Sequence, residues 1–149
     1  MLHEPAYPVV WDSAQTGAGE APLADLVAQS AVKLLARREG RAPDEFAALV
    51  DETVAGLVEV THSSFNSLVE ISARGVNKAT GLAALGAGLG IGPADVLAFG
   101  DMPNDVPMLL WAGRGVAVAN AHPAARAAAD DHTLSNMDDG VAAYLARYL

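Results

Sequence analysis

An alternation of strand-like and helix-like segments in the second half of the sequence constrains the fold more than any other feature. Apolar spacing predicts helices at residues 77–85, 105–112, 122–129 and 140–149, and β-rich segments at 95–99, 114–120 and 131–134 lie between them. Strands that alternate with helices usually pair in parallel through crossover connections. This half of the chain therefore predicts an α/β fold, a parallel sheet with helices on its faces.

The first half of the chain has a different pattern. A β-rich segment at residues 31–37 is followed by a helix pattern at 43–57, and two further β-rich segments follow at 58–64 and 66–73. The last two are separated by only one or two residues, which predicts an antiparallel pair. The change of pattern predicts two domains, residues 1–74 and 75–149.

Composition argues against several classes of partner. The chain has 18 acidic and 9 basic residues and a formal net charge of −9, without a basic cluster that could bind nucleic acid or an anionic membrane. The absence of cysteine fits a reducing compartment. The apolar segment 79–94 is shorter than the roughly 20 residues that span a bilayer. The N-terminal sequence of the chain lacks the pattern of a signal peptide. We expect a cytoplasmic protein with no nucleic-acid or membrane partner.

The segment VLAFGDMPNDVPML, residues 96–109, places polar side chains directly after a predicted buried strand. Ligands of open parallel sheets bind beyond the carboxyl ends of the strands, and Asp101, Asn104 and Asp105 would supply the oxygen ligands that Mg²⁺ prefers. The alternative is a simple turn in which Asn104 or Asp105 caps the next helix. This segment alone leaves both interpretations open.

Lys78 lies at the predicted start of the helix that follows the antiparallel pair, where Asn77 or Thr80 could assist capping. A helix N-terminus and an ammonium group together favour a phosphate or a crowded carboxylate. The alternative is a solvated surface lysine. A lysine in this position together with the G-D-x-x-N-D sequence fits phosphoryl transfer, in which catalysis depends on positioning and charge neutralisation.

These segments together resemble a known family. GVNKATGL, VLAFGDMPNDVPML, GVAVANAHP and DDGVAAYL are similar to the C-terminal portion of the haloacid dehalogenase superfamily, in its Cof-type sugar-phosphatase branch, and VTHSS and LVEI resemble the end of its cap domain. The resemblance implies a partial haloacid dehalogenase-like Rossmannoid parallel sheet, the C-terminal half of the core, at residues 75–149. It implies an α+β remnant of a C2-type cap domain at residues 1–74.

The resemblance also implies roles for individual residues. Lys78 matches the catalytic lysine that neutralises the nucleophilic carboxylate and the transferred phosphoryl group. Asp101 and Asp105 match the acidic residues that hold Mg²⁺ and support its ligand shell. Asn104 matches a position that touches the phosphate, and Asn120 matches a substrate-binding position near the site entrance. The implied activity is Mg²⁺-dependent hydrolysis of small phosphorylated metabolites such as sugar phosphates.

The sequence departs from the family at the nucleophile. The family's nucleophile lies in a D-x-D-G-T motif, which these 149 residues do not contain. Asp12 follows an apolar segment, but Ala14 replaces the second aspartate, and an alanine cannot protonate a leaving group. We therefore expect Asp12 to be a loop residue and the chain to be a truncated phosphatase, inactive alone.

The missing strand has a further consequence. In the family the strand that bears the nucleophile pairs with the one predicted here at 95–99, so that strand is left with an open edge that favours pairing with another chain. We expect a homodimer or a complex through this edge. The four histidines show no H-E-x-x-H spacing and indicate no metal site.

Two alternatives to an enzyme remain open. The chain could be a non-catalytic domain that keeps the haloacid dehalogenase-like fold and binds a phosphorylated ligand or a protein. It could also be an unrelated α/β domain in which GDMPND is only a turn and a cap.

Overall fold

The computed structural model describes residues 2–5, 7, 19–64 and 67–149. Asp12, the alternative nucleophile, lies outside these residues. The strands are β1 (Leu2–His3), β2 (Gly19–Glu20), β3 (Leu34–Arg37), β4 (Val58–Thr61), β5 (Leu68–Ala73), β6 (Leu97–Gly100), β7 (Arg114–Ala117) and β8 (Asp131–His132). The helices are α1 (Leu23–Val27), α2 (Pro43–Val54), α3 (Lys78–Leu89), α4 (Val106–Trp111), α5 (Pro123–Ala128) and α6 (Gly140–Leu145), with short 3-10 turns at Pro93–Asp95, Pro103–Asp105 and Asn136–Asp138.

The second half of the chain forms the parallel sheet that its alternating pattern predicts. Strands β6, β7 and β8 lie in that order and both pairings are parallel, with Phe99 opposite Val116 and Ala117 opposite His132. The mixed α/β prediction is therefore confirmed. Among the described residues β6 pairs with β7 alone, so it forms one edge of this sheet.

Helices cover both faces of the parallel sheet. A Cβ added to Gly115 would lie 2.4 Å from the carbonyl oxygen of Leu109, and one added to Gly100 would lie 3.2 Å from the Leu109 side chain. Both glycines therefore face α4 and allow it to lie close to the sheet. On the opposite face the ring of Phe99 meets Tyr144 of α6 edge to face, with 5.6 Å between centroids.

The main core lies between the parallel sheet and helices α4 and α5. Leu109 is 1% exposed, and Ala117, Val118, Ala121 and Ala125 pack around it. Small side chains dominate this cluster, which permits the short distances between helices and sheet that the glycines also require. The carboxyl ends of β6 and β7 are thereby held on a rigid support.

The first half of the chain forms a three-stranded antiparallel sheet in the order β3-β5-β4. The predicted antiparallel pair is confirmed, although the strands end earlier than expected and residues 62–67 connect them instead of one or two. Helix α2 packs on this sheet through Phe46, which is 7% exposed. The helix ends at Val54 rather than at the predicted residue 57, because Ala55 and Gly56 adopt positive φ values of 49° and 72°.

Two residues after β5, the chain turns into helix α3. Gly75 has a φ of 75°, which favours glycine at this bend. The Asn77 side chain accepts from the Thr80 backbone N–H, and the Thr80 hydroxyl accepts from the Asn77 N–H. This capping box, to which both of the predicted capping residues contribute, fixes the first turn of α3 and with it the position of Lys78. Among the described residues, no helix is both long and apolar enough to cross a membrane.

Candidate functional site

The candidate site forms where β6 ends and the chain turns toward α4. Asp101 directly follows the strand, and the 3-10 turn Pro103–Asp105 brings the Asp105 side chain back beneath it. Asp105 Oδ2 accepts hydrogen bonds from the backbone N–H of Asp101 at 2.9 Å and of Met102 at 3.0 Å. Asp105 therefore closes the turn rather than capping α4 with its side chain.

Lys78 reaches this turn from the first residue of α3. Its ammonium group forms an ion pair with Asp105 Oδ1, across 27 residues of sequence. Asp105 is 3% exposed, whereas about half of the Lys78 side chain remains accessible. The structure thus brings together two residues that the sequence predicted separately. We refer to Lys78, Asp101, Asn104 and Asp105 as the turn cluster.

The two aspartates of the turn cluster have different electrostatic environments. Burial opposes ionisation of Asp105, but the hydrogen bonds from Lys78 and from the two backbone N–H groups outweigh it and lower its pKa. The pKa of Asp101 is raised, first by burial and then by the negative charge of Asp105 beside it. A cation beside Asp101 would instead lower the pKa of its carboxyl group.

Asn104 supplies a further acceptor in the same turn. Its Oδ1 atom is buried and has no hydrogen-bond partner among the described residues. A buried carbonyl oxygen without a partner costs free energy unless a ligand or an ion satisfies it. The carboxylate of Asp101 and the unsatisfied oxygen of Asn104 are both hard oxygen donors, the type of ligand that Mg²⁺ prefers.

Asn120 lies beyond the end of β7 and is exposed. Its Nδ2 donates to Asn136 Oδ1 at 2.9 Å, and its Oδ1 accepts from the Asn136 backbone N–H at 3.2 Å. These two bonds join the loop after β7 to the 3-10 turn before α6. None of the hydrogen bonds found among the described residues connects Asn120 to the turn cluster.

The sequence model of the haloacid dehalogenase-like hydrolases matches residues 17–145 of this chain. The chain belongs to this family. The Rossmannoid fold is supported by the solved sugar phosphatase BT4131 of haloacid dehalogenase subclass IIB, which superposes with a TM-score of 0.77 at 21% identity over 88% of this chain and 48% of its own. A haloacid dehalogenase-like hydrolase from Bacillus subtilis superposes with a TM-score of 0.73 at 27% identity over 90% of this chain and 48% of its own.

Two curated relatives of this chain are phosphatases. The 5-amino-6-(5-phospho-D-ribitylamino)uracil phosphatase YcsE of Bacillus subtilis is 42% identical over 57% of this chain and 34% of its own length. A phosphoglycolate phosphatase of Halorubrum lacusprofundi is 42% identical over 66% of this chain and 44% of its own length. The chain thus spans less than half the length of each of these two relatives.

A second polar cluster lies next to the turn cluster in this haloacid dehalogenase-like fold, and no local sequence pattern predicts it. The His122 backbone N–H donates to the Asp101 carbonyl at 2.7 Å. The His122 side chain extends to Asp44 of α2, which also binds His62 after β4. We call Asp44, His62 and His122 the histidine cluster. Its members come from both halves of the chain, so only the fold brings them together.

Proposed function

We propose that this chain carries the phosphate- and magnesium-binding half of a phosphatase for small phosphorylated metabolites such as sugar phosphates. One observation supports the proposal most directly: the turn after β6 holds a partly buried carboxylate, Asp101, and a buried carbonyl oxygen without a partner, on Asn104, and it is ion-paired to Lys78, whose side chain is about half accessible. Family membership and the phosphatases among its relatives support the same reaction class.

Each residue of the turn cluster has a distinct proposed role. Asp101 holds Mg²⁺ through its carboxylate, and Asp105 supports the metal's ligand shell by fixing the turn and the Lys78 ammonium. Asn104 contacts the phosphate. Lys78 provides positive charge for the phosphoryl oxygens, since roughly half of its side chain is accessible. When bound, Mg²⁺ would neutralise charge on the phosphoryl group. Asn120 is proposed to contact the substrate near the site entrance.

The nucleophile is proposed to come from polypeptide outside these 149 residues. The sequence holds no D-x-D-G-T motif, and β6 pairs with β7 alone among the described strands. Strand β6 corresponds to the strand predicted at residues 95–99. A further strand would pair with its unpaired edge in a homodimer or a complex. We therefore expect the chain alone to bind phosphate with Mg²⁺ without turning over a phosphate ester.

The experiment that tests this proposal separates binding from turnover. Hydrolysis of p-nitrophenyl phosphate is measured with Mg²⁺ and with a chelator, and calorimetry measures binding of inorganic phosphate in the presence of Mg²⁺. We expect no turnover and Mg²⁺-dependent phosphate binding that Asp101→Asn and Lys78→Met each weaken. Arg38→Met, which removes an exposed cation elsewhere, is the control and should bind phosphate as the wild type does.

Two results would overturn parts of the proposal. Chelator-sensitive turnover that Asp101→Asn abolishes would place a nucleophile within the 149 residues and make Asp12 the next residue to substitute. Absence of phosphate binding by the folded wild-type chain would remove the proposed role of the turn cluster.

The missing D-x-D-G-T motif also favours a second candidate function, a non-catalytic domain that binds a phosphorylated ligand. Such a domain would bind phosphate through the same residues. The two candidates differ when the chain is supplied with a polypeptide that contains the D-x-D-G-T segment of a relative. Restored Mg²⁺-dependent turnover supports the half-enzyme, and continued binding without turnover supports the binding domain.

A further inference from the structure

The histidine cluster has the composition and spacing of a transition-metal site. Asp44 Oδ1 lies 2.8 Å from His62 Nε2, and Asp44 Oδ2 lies 3.2 Å from His122 Nε2. One donor atom from each residue lies within 4.8 Å of the other two. Ligands of a tetrahedral zinc ion are separated by about 3.3–3.6 Å, given metal–ligand bonds of about 2.0–2.2 Å. The two hydrogen-bond distances lie just below this spacing and the 4.8 Å limit lies above it, so small side-chain rotations are needed to place three donors around one ion.

The orientation of His62 favours a metal ligand. The His62 ring is 3% exposed, and its Nδ1 lies 3.2 Å from the Ser64 carbonyl oxygen. A carbonyl can only accept, so Nδ1 carries the hydrogen and Nε2 faces the Asp44 carboxylate. Metal-binding histidines usually donate their second N–H to a carbonyl or a carboxylate in this way, which fixes the ring and its tautomer. Asp44 and His62 Nε2 are thus joined by one shared proton at 2.8 Å, and a cation would take the place of that proton once the two groups move apart.

His122 is the weaker ligand of the three. Its Nδ1 accepts the Ala124 backbone N–H at 3.2 Å as the N-cap of α5, so Nε2 carries the hydrogen when no ion is bound. Metal binding at Nε2 requires this hydrogen to leave, and the bond to Ala124 is lost if the ring keeps a hydrogen on Nδ1. The two rings meet edge to face with centroids 5.6 Å apart, which directs both Nε2 atoms toward Asp44.

We propose that Asp44, His62 and His122 form a binding site for a borderline-soft divalent cation such as Zn²⁺, separate from the Mg²⁺ site of the turn cluster. Two imidazoles and one carboxylate are a ligand set that suits Zn²⁺ better than Mg²⁺. Three protein ligands leave a fourth position for water or an anionic oxygen. Asp44 is 65% exposed in its side chain, so an ion can reach the site from solvent.

The site would connect the two halves of the chain. Asp44 and His62 belong to α2 and to the segment after β4, beside the antiparallel sheet, whereas His122 begins α5 of the parallel-sheet half. An ion held by all three residues ties these halves together. Because binding occurs only in the folded chain, Zn²⁺ should raise the unfolding temperature.

The test uses Zn²⁺ and Co²⁺ as probes on the chelator-treated chain, with excess Mg²⁺ present to occupy the turn cluster. Calorimetry should give one Zn²⁺ per chain, and Co²⁺ should give the visible absorption of a tetrahedral complex. We expect His62→Gln to weaken Zn²⁺ binding by at least about 100-fold and His122→Gln by about tenfold, since loss of an outer partner alone typically costs about 10- to 100-fold. His132→Gln, which removes an exposed histidine outside the cluster, should bind Zn²⁺ as the wild type does.

Several results would overturn the proposal. The first is that the folded wild type does not bind Zn²⁺ in excess Mg²⁺. The second is that His62→Gln and His122→Gln both bind Zn²⁺ with wild-type affinity and give an unchanged Co²⁺ spectrum. Asp101→Asn should retain the Zn²⁺ site while losing Mg²⁺-dependent phosphate binding, so a loss of both together would also contradict two separate sites. Circular dichroism of each variant establishes that it is folded before its affinity is compared.

Discussion

The turn cluster and the histidine cluster are neighbours that are built in different ways. In the turn cluster the buried residue is the acid: Asp105 is 3% exposed and its oxygens are engaged by Lys78 and by two backbone N–H groups. In the histidine cluster the acid is the exposed member and His62 is buried. The first cluster holds the backbone of the chain in place, whereas the second joins side chains from distant segments.

The two clusters therefore differ in how much their side chains contribute to the folding free energy and how much to ligand binding. A group that satisfies buried backbone donors contributes to the folding free energy, and its removal leaves those donors without partners. An exposed carboxylate between two imidazoles contributes little to folding. We therefore expect substitutions in the turn cluster to destabilise the protein and substitutions in the histidine cluster to alter mainly ion binding.

The largest effect is expected from Asp105→Ala. It removes the partner of Lys78 and leaves the N–H groups of Asp101 and Met102 unsatisfied, which should lower the free energy of unfolding by about 2–4 kcal/mol. Urea denaturation at neutral pH measures the loss. Asp138→Ala removes an exposed aspartate and serves as the control. Equal stability of the two variants would refute the view that the turn cluster holds the fold.

Gly100→Ala should have the next largest effect. The added Cβ would lie 2.6 Å from Asp105 Cβ, so the turn must shift, at a cost of about 1–3 kcal/mol. Gly81→Ala provides the opposite case, because this glycine of α3 has open space around it and alanine should stabilise the helix by about 0.5–1 kcal/mol. Thermal unfolding compares the two, and destabilisation by both variants alike would contradict the packing argument.

A third prediction concerns the pH dependence of stability in the antiparallel sheet. Burial of Glu70 raises its pKa, but hydrogen bonds from Lys33 and Ser63 outweigh this, and the pKa is lowered below its model-compound value of 4.5. A lowered pKa in the folded state means that Glu70 stabilises the fold above that value and that the contribution is lost as the pH falls through the folded-state pKa. Glu70→Gln should therefore flatten the decline of stability below pH 4.5.

Denaturation between acid and neutral pH checks this prediction, with Glu52→Gln, at an exposed position of helix α2, as the matched control. If Glu70→Gln and the wild type lose stability in parallel as the pH falls, the contribution assigned to Glu70 is wrong.

The smallest effect is expected from Asp44→Asn. The His62 hydrogen bond is the main reason that the pKa of Asp44 is lowered. Because the Asp44 side chain is 65% exposed, solvent screens the pair, which contributes less than about 1 kcal/mol to folding. Unfolding of this variant at low and high salt measures the contribution. A loss as large as that of Asp105→Ala would remove the distinction between the two clusters.

The parallel half of the fold could be predicted from sequence because its signals are local. Strand β6 is an apolar segment that ends at Gly100, and the capping box of Asn77 and Thr80 is contained in four residues. The ends of the elements were less predictable: helix α3 continues to Leu89, and α6 ends at Leu145 before the apolar pattern does. Helix ends depend on packing and capping, which the spacing of apolar residues does not indicate.

The sequence predicts the part of the candidate site whose residues lie close together in the chain. Asp101, Asn104 and Asp105 lie within five residues, so their spacing could be interpreted directly, but the burial of Asn104 Oδ1 could not. The histidine cluster joins residues 78 positions apart, and no spacing rule indicates such a group. The pairing of Asn120 with Asn136 is hidden for the same reason.

His122 takes part in both clusters through different atoms. Its backbone N–H binds the Asp101 carbonyl and its ring binds Asp44, so the loop between β7 and α5 is shared by the two proposed ion sites. Thermodynamic linkage makes any communication through this residue reciprocal: the factor by which an ion at the histidine cluster changes Mg²⁺ affinity equals the factor by which Mg²⁺ changes the affinity for that ion. A cellular change in the supply of one metal would then alter the occupancy of the other site.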